Sequence, residues 1–354
     1  MVRKSDKGAY GKPNGAGNSR HHQWQPPLPA PAPGRARGSV RRGAYVVATR
    51  EGQAMKMAMI GLGRMGGNMV RRLRRHGIEV VGYNRSPESV RQLAAEEGMI
   101  AAASAAEAVR MLPTPRVVWL MLPSGSPTEQ MIHQLIPLLE AGDILVDGGN
   151  SNYHDSQRRG VLLAEHDIHF VDVGTSGGVW GLEKGYCLMA GGEPAAVKAL
   201  QPLFDALAPE NGWAHVGPIG AGHFTKMIHN GIEYGMMQAY AEGFALLRGK
   251  QEFSLDLAQI AELWRHGSVV RSWLLDLTAA ALAADQELQD IAPVVADSGE
   301  GRWTAIEAID QGVALPVISL ALQMRFTSQD AEGYPAKLLA MMRNAFGGHK
   351  VEKG

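Results

Sequence analysis

The stretch that most restricts the fold is a short apolar run, Met57-Ala58-Met59-Ile60, leading directly into Gly61-Leu62-Gly63-Arg64-Met65-Gly66. A helical pattern follows through Met69, Val70 and Leu73 to Gly77, and a second apolar strand is predicted at 79–83. Strand, GxGxxG loop, helix and strand in that order form the context in which the glycine motif holds a dinucleotide. Gly61 permits the tight turn. Gly63 lets backbone N–H groups approach a pyrophosphate at the helix N-terminus, and Gly66 lets helix and strand pack closely. Leu62, Arg64 and Met65 complete the loop. The end of the second strand selects the cofactor, because an NAD site usually carries an acid there for the ribose hydroxyls. This chain instead reads Tyr83-Asn84-Arg85-Ser86-Pro87. Arg85 is either a plain surface arginine or the partner of a 2′-phosphate, with Asn84 and Ser86 adding hydrogen bonds. NADP is the expected cofactor, with NAD as the alternative.

The alternation of strand and helix continues. Strands are predicted at 117–122, 144–147 and 169–173, with helices at 128–139 and 155–165 between them. This order describes an α/β fold, a Rossmann-like, doubly wound and mostly parallel sheet, whose ligands bind beyond the carboxyl ends of the strands. Two turns fall on that edge: Gly148-Gly149-Asn150-Ser151 and Gly174-Thr175-Ser176-Gly177-Gly178. Each is an ordinary turn or part of a ligand site, and their position on the cofactor's edge favours the second. From about residue 223 the pattern is all helical. A long helix at 223–248 is followed by helices at 255–265, 269–282, 305–312 and 320–326, with an exposed acidic turn at 285–290. The 354 residues are thus expected to form a nucleotide-binding domain (55–222) and a helical domain (223–354) for substrate and oligomer contacts.

Residues 1–54 are different in kind. They are rich in Pro and Gly and carry ten Lys or Arg against Asp6 and Glu51, a balance of 10 − 2 = +8. Such a segment reads as a disordered basic tail to which no function is assigned. Over the whole chain Lys plus Arg equals Asp plus Glu at 35 each, so no global charge points to nucleic acid or an anionic membrane. No apolar run is long enough to span a bilayer, and a soluble, cytoplasmic protein is expected. The single cysteine, Cys187, forms no intrachain disulfide and is expected to be a small apolar core residue.

The chemistry concentrates between Gly220 and Gly235. On a helix there, Lys226, His229, Asn230, Glu233 and Tyr234 fall on one stripe, while Met227, Ile228, Ile232 and Met236 point elsewhere and bury. The stripe is either a solvated face or a set of catalytic and substrate-orienting groups. No cluster of acids beside it suggests a divalent ion, so no metal is expected.

From Met55 onward the chain resembles the decarboxylating 6-phosphogluconate dehydrogenases of the β-hydroxyacid dehydrogenase superfamily. The resemblance rests on Gly61–Gly66, Asp147-Gly148-Gly149-Asn150-Ser151, Gly174–Gly178 and Gly220–Gly235. Gly301-Arg302-Trp303-Thr304-Ala305 and Arg343-Asn344-Ala345-Phe346-Gly347-Gly348-His349 extend it. It implies oxidation of 6-phosphogluconate at C3, loss of C1 as carbon dioxide and formation of ribulose 5-phosphate, a step of the pentose phosphate pathway and of gluconate use. Lys226 matches the general base and Glu233 the acid. Asn150, Ser176, Gly177, Gly178, His229 and Asn230 match groups that hold the carboxylate and hydroxyls, with Asn150 also beside the cofactor. Tyr234 and Arg325 match phosphate ligands. Arg343 and His349 match a pair that reaches into a neighbouring subunit's site, which implies a homodimer or homotetramer. The chain is short, like the bacterial-type members. Its loop Asp297-Ser298-Gly299-Glu300-Gly301-Arg302 lacks a phosphate-binding lysine, for which Arg302 is a candidate replacement. Two other readings remain: a dehydrogenase of an unphosphorylated β-hydroxyacid such as 3-hydroxyisobutyrate, and a non-catalytic NADP-binding scaffold.

Overall fold

The structure is a computed structural model and describes residues 55–352. The basic tail at 1–54 lies outside the described residues. Eight strands form one sheet: β1 (Lys56–Ile60), β2 (Glu79–Tyr83), β3 (Ile100–Ala101), β4 (Val117–Leu120), β5 (Ile144–Asp147), β6 (His169–Ser176), β7 (Cys187–Gly192) and β8 (Trp213–Gly217). Their order is β3-β2-β1-β4-β5-β6-β7-β8. Neighbours pair parallel except β6 with β7, where the direction reverses. Burial on both faces of the sheet explains why the central strands are apolar throughout. In β1, Met57 and Met59 join one buried layer, while Ala58 and Ile60 join the layer on the opposite face.

The glycine motif makes the turn the sequence predicts. A Cβ on Gly66 would stand 2.0 Å from the Gly61 carbonyl oxygen, so only glycine lets helix Arg64–Arg75 start against β1. A Cβ on Gly63 would meet no protein atom within 4 Å. The loop is therefore sealed on the strand side and open at the helix N-terminus, the cradle a pyrophosphate needs.

β7 and β8 were not expected, and Gly174-Thr175-Ser176 is the end of β6 rather than a turn. Cys187 starts β7 and is exposed, which corrects its expected place in the core. It pairs with Ser176 at the open end of the β6–β7 ladder, where no layer covers it.

One helix, Ala221–Gly249, carries the rest of the chain. At 29 residues it is about 43 Å long. Its first turns pack on β6 and β7. They are fixed by Asp172, fully buried, whose carboxylate accepts from Gly220 N at 2.7 Å and His223 N at 2.8 Å. Its last turns pack on helices Leu257–Trp264 and Trp273–Ala284 through Phe244, Leu257, Ala261, Leu275 and Ala279. Helices Glu300–Gln311 and Pro316–Gln329 cover its middle. The chain continues into helix Tyr334–Gly347, which contains no buried residue. Arg343 and Phe346 are helical, and the chain turns at Gly348, with φ 64°. No described helix is long and apolar enough to cross a membrane.

Candidate active site

A cleft of about 990 Å³ lies between the carboxyl ends of β5 and β6 and the long helix. Asn150, Ser176, Gly177, Gly178, Lys226, His229, Asn230 and Glu233 all line it, and Met65 brings the nucleotide loop to its edge.

The Asn150 turn is held from below by buried charge. Asp147 and Arg159 are both fully buried, and Arg159 Nη1 donates to Asp147 Oδ2 at 3.0 Å. The same carboxylate accepts from Ser151 Oγ at 2.6 Å and Gly149 N at 3.1 Å. Arg159 Nε reaches Glu129 at 3.0 Å. Hydrogen bonds from Arg158 and then Arg159 hold the Glu129 carboxyl down at about 2, against the opposing effect of burial. Its stabilising contribution is complete above the ordinary glutamate range and is lost as pH falls toward that value. Arg159→Met leaves Asp147 charged and unpaired in the interior, with an expected loss of about 3–5 kcal/mol. Denaturant unfolding at neutral pH checks this, and a loss below about 1 kcal/mol would mean that the pair holds nothing together.

Lys226 is buried because Gly174 makes room for it. A Cβ on Gly174 would lie 2.4 Å from the Lys226 Cβ and 2.6 Å from the Gly222 carbonyl oxygen. Burial pushes the Lys226 ammonium below the ordinary lysine value, and the carboxylates of Glu233 and Glu300 and the Cys187 thiol oppose it. Lys226 Nζ is 3.4 Å from His229 Nδ1. That nitrogen is 3.0 Å from Asn230 Oδ1 and 3.8 Å from Glu233 Oε2. His229 Nε2 faces Ser176 Oγ at 3.4 Å.

The predicted stripe is therefore split. Lys226, His229 and Glu233 face the cleft, whereas Tyr234 is buried toward the 296–302 loop, with its hydroxyl 3.3 Å from Ser298 Oγ. Ile228, Ile232 and Met236 do not bury as expected. All three line the cleft, and Ile232 is 51% exposed. A helix turns about 100° per residue, so 228, 232 and 236 continue the His229 side while 230 and 234 rotate away from it.

Arg325 lies with its guanidinium 3.5 Å above the Tyr234 ring and donates to the Ala296 carbonyl at 2.8 Å. Arg302 pairs with Asp297 at 2.9 Å and stacks on Phe326. Its charge is therefore already matched, which weakens it as a replacement for the absent lysine. Arg343 and His349 are exposed at the end of the last helix, and neither lines this cleft. At the nucleotide loop, Asn84 Oδ1 accepts from Leu62 N at 3.1 Å. Ser86 Oγ donates to Glu88 at 2.5 Å, while the exposed Arg85 has no partner among the described residues.

Sequence reasoning missed several residues of the site. Trp180, Trp273 and Leu277 line the cleft, and Lys184 Nζ stands 5.6 Å over Trp180 and 5.0 Å over Trp273. Tyr153 donates to Glu307 at 2.5 Å, tying the Asn150 turn to helix Glu300–Gln311. Glu300, also missed, accepts from Asn230 Nδ2 at 3.0 Å. Its signal was its place between two glycines directly before Arg302-Trp303-Thr304.

Residues 56–217 match the NAD binding domain of 6-phosphogluconate dehydrogenase, and residues 222–337 match the 6-phosphogluconate dehydrogenase C-terminal domain. A Haloferax volcanii protein named 6-phosphogluconate dehydrogenase, NAD(+)-dependent, decarboxylating, is 40% identical over 301 residues. The alignment covers 84% of this chain and 99% of the relative. The chain belongs to the 6-phosphogluconate dehydrogenase family. A Bacillus subtilis protein, itself only provisionally named as a member, is 43% identical over 299 residues, covering 84% of this chain and all of the relative. Among solved structures, Plasmodium falciparum 6-phosphogluconate dehydrogenase, described with NADP+ and with 6-phosphogluconate, superposes with a TM-score of 0.73. It is 28% identical, covering 84% of this chain and 66% of that one. In family terms, the open loop at Gly63 belongs to the NAD-binding domain and the Lys226 helix to the C-terminal domain.

Proposed function

We propose that the chain oxidises 6-phosphogluconate at C3 and decarboxylates it to ribulose 5-phosphate, with NADP as hydride acceptor. The observation that carries this reading is Lys226, buried against Gly174 on the wall of a cleft that also holds Glu233, Asn150 and the Ser176-Gly177-Gly178 turn. The nicotinamide, when bound, accepts the hydride from C3. Neutral Lys226, favoured by burial, takes the proton of the C3 hydroxyl. As an ammonium it then donates to the C3 oxygen while C1 leaves as carbon dioxide and charge develops there. Glu233 delivers a proton to the carbon that becomes C1 of the product. His229, Asn230, Asn150 and the Ser176 turn orient the carboxylate and hydroxyls, and Tyr234 with Arg325 takes the phosphate. In this reading 55–222 hold the nucleotide, while 223–354 serve the substrate and subunit contacts. In this reading the enzyme works in the cytoplasm, on the pentose phosphate route.

The test is direct. Purified protein mixed with 6-phosphogluconate and NADP should reduce the cofactor and release carbon dioxide in equal amounts. No turnover with NADP or NAD overturns the reading.

The cofactor preference rests on Arg85, exposed and unpaired beside the loop, with no acid at the end of β2. The Haloferax relative is named as NAD(+)-dependent, so this chain's preference is its own question. Arg85→Ala should lower the NADP-to-NAD ratio of kcat/KM by about tenfold or more, as for one charge-assisted phosphate contact. An unchanged ratio removes Arg85 from the choice.

A homo-oligomer is proposed from helix Tyr334–Gly347, where Leu338, Met341 and Met342 are each about half exposed and Phe346 is 97% exposed. A second copy that covers this face would also bring Arg343 and His349 to its neighbour's phosphate site. Light scattering that returns a monomer at micromolar concentration rejects the assignment.

A further inference from the structure

Helix Glu300–Gln311 meets the long helix closely because two glycines remove the side chains that would separate them. A Cβ on Gly231 would lie 2.9 Å from Thr304 Cγ2, and one on Gly301 would lie 2.5 Å from Tyr234 Cε2. Thr304 Oγ1 then sits 3.0 Å from the Met227 carbonyl oxygen and 2.7 Å from that of Glu300. The approach buries Glu300, 2% exposed, next to the active-site turn. Its Oε1 accepts from Asn230 Nδ2 at 3.0 Å, and its Oε2 has no hydrogen-bond partner among the described residues. Burying a carboxylate on so little hydrogen bonding is costly. The N-terminus of its own helix offsets part of that cost. Filling the space would need only a neutral side chain of the same size.

The carboxylate has a consequence that such a side chain would lack. An ionised Glu300 can only accept, so the Asn230 amide must turn Nδ2 toward it and Oδ1 toward His229. Asn230 Oδ1 is 3.0 Å from His229 Nδ1, and an oxygen acceptor there requires a proton on that nitrogen. With Nδ1 protonated, Nε2 is the acceptor, on the side of Ser176 Oγ. Lys226 Nζ, 3.4 Å from Nδ1, then finds no lone pair on that nitrogen and stays available to the substrate. We propose that Glu300 is a positioning residue, whose carboxylate fixes the Asn230 amide and, through it, the Nδ1–H tautomer of His229. Its effect on turnover rests on the function proposed above, but the tautomer does not.

The experiment is nitrogen-15 NMR of the full chain labelled in histidine, with the His229 ring signals identified by their loss in His229→Asn. At neutral pH the wild type should show a protonated Nδ1 and a bare Nε2. Glu300→Gln keeps an acceptor oxygen, so it should keep that tautomer and lose less than about tenfold in kcat. Glu300→Met keeps the size without the acceptor. It should show mixed tautomers and lose about 10²-fold in kcat, the scale of a misplaced reacting group, with KM for NADP unmoved. A bare Nδ1 in the wild type overturns the proposal even if no variant folds. An unaltered tautomer in folded Glu300→Met overturns it as well. Absence of turnover with 6-phosphogluconate beside the expected tautomer rejects the proposed substrate and leaves the positioning role supported.

Discussion

Lys226→Met should reduce kcat/KM for 6-phosphogluconate by about 10⁴-fold, the upper range for loss of a general acid–base group. In the proposed mechanism this side chain serves the reaction in both charge states, as a base when neutral and as a hydrogen-bond donor to the C3 oxygen when charged. Methionine keeps the length and fills the space above Gly174, so the long helix should stay on β6 and the nucleotide loop should be untouched. Cofactor affinity, read by fluorescence quenching, should remain within about twofold, a change of only about 0.4 kcal/mol. The pH profile of the wild type adds a second reading. Burial lowers the Lys226 pKa from the ordinary lysine value, and the base must be neutral in the free enzyme. Activity in kcat/KM should therefore rise with pH along an acid limb and level off below the ordinary lysine range. Equal losses of activity and cofactor affinity in Lys226→Met would show a collapsed site instead of a missing base. Near-normal activity would remove Lys226 from the mechanism.

The parts of this molecule legible in its sequence are those whose signal is local. The strand–glycine loop–helix unit is read from adjacent residues, because Gly61, Gly63 and Gly66 act within a few residues of one another. Two features were less legible. β7 is Cys-Leu-Met-Ala-Gly-Gly, without alternation or β-branched residues, and only its pairing with β6 and β8 makes it a strand. Glu300 was visible as a loop acid, but its burial depends on two helices that approach through Gly231 and Gly301, seventy residues apart. The stripe on the long helix shows the same limit within one element. Periodicity put five polar residues on one side, yet positions 229 to 234 spread across about 140° of the helix. Two packing partners divide that arc. The cleft takes His229 and Glu233 with the apolar Ile232 and Met236, the helices at Glu300–Gln311 and Pro316–Gln329 take Tyr234, and Asn230 sits at the border, lining the cleft and bonded to Glu300. An apolar residue beside a cleft and one beside a core look alike in sequence, which is why Ile232 and Met236 were assigned to the wrong surroundings.

Glu233→Gln should separate the two halves of the reaction. Glu233 stands two turns from Lys226, about 10 Å along the helix axis, and both side chains reach into the cleft from the same helix. In the proposed mechanism the C3 hydroxyl proton and hydride leave at the Lys226 end, so the first oxidation does not need the Glu233 carboxyl. In that mechanism loss of C1 likewise depends on charge stabilisation at the C3 oxygen by Lys226. What remains is proton delivery to the carbon left by carbon dioxide, and glutamine cannot provide it. Rapid mixing should thus give one reduced cofactor per site in a fast phase close to the wild-type rate. Steady-state turnover should then fall by about 10²–10³-fold, since the enediol must wait for a solvent proton. Carbon dioxide should appear with the fast phase. Loss of the fast phase would place Glu233 in the oxidation, next to Lys226 in function as well as on the helix. A normal steady state would hand the proton to another group, and His229, 3.8 Å from Glu233, is the neighbour within reach.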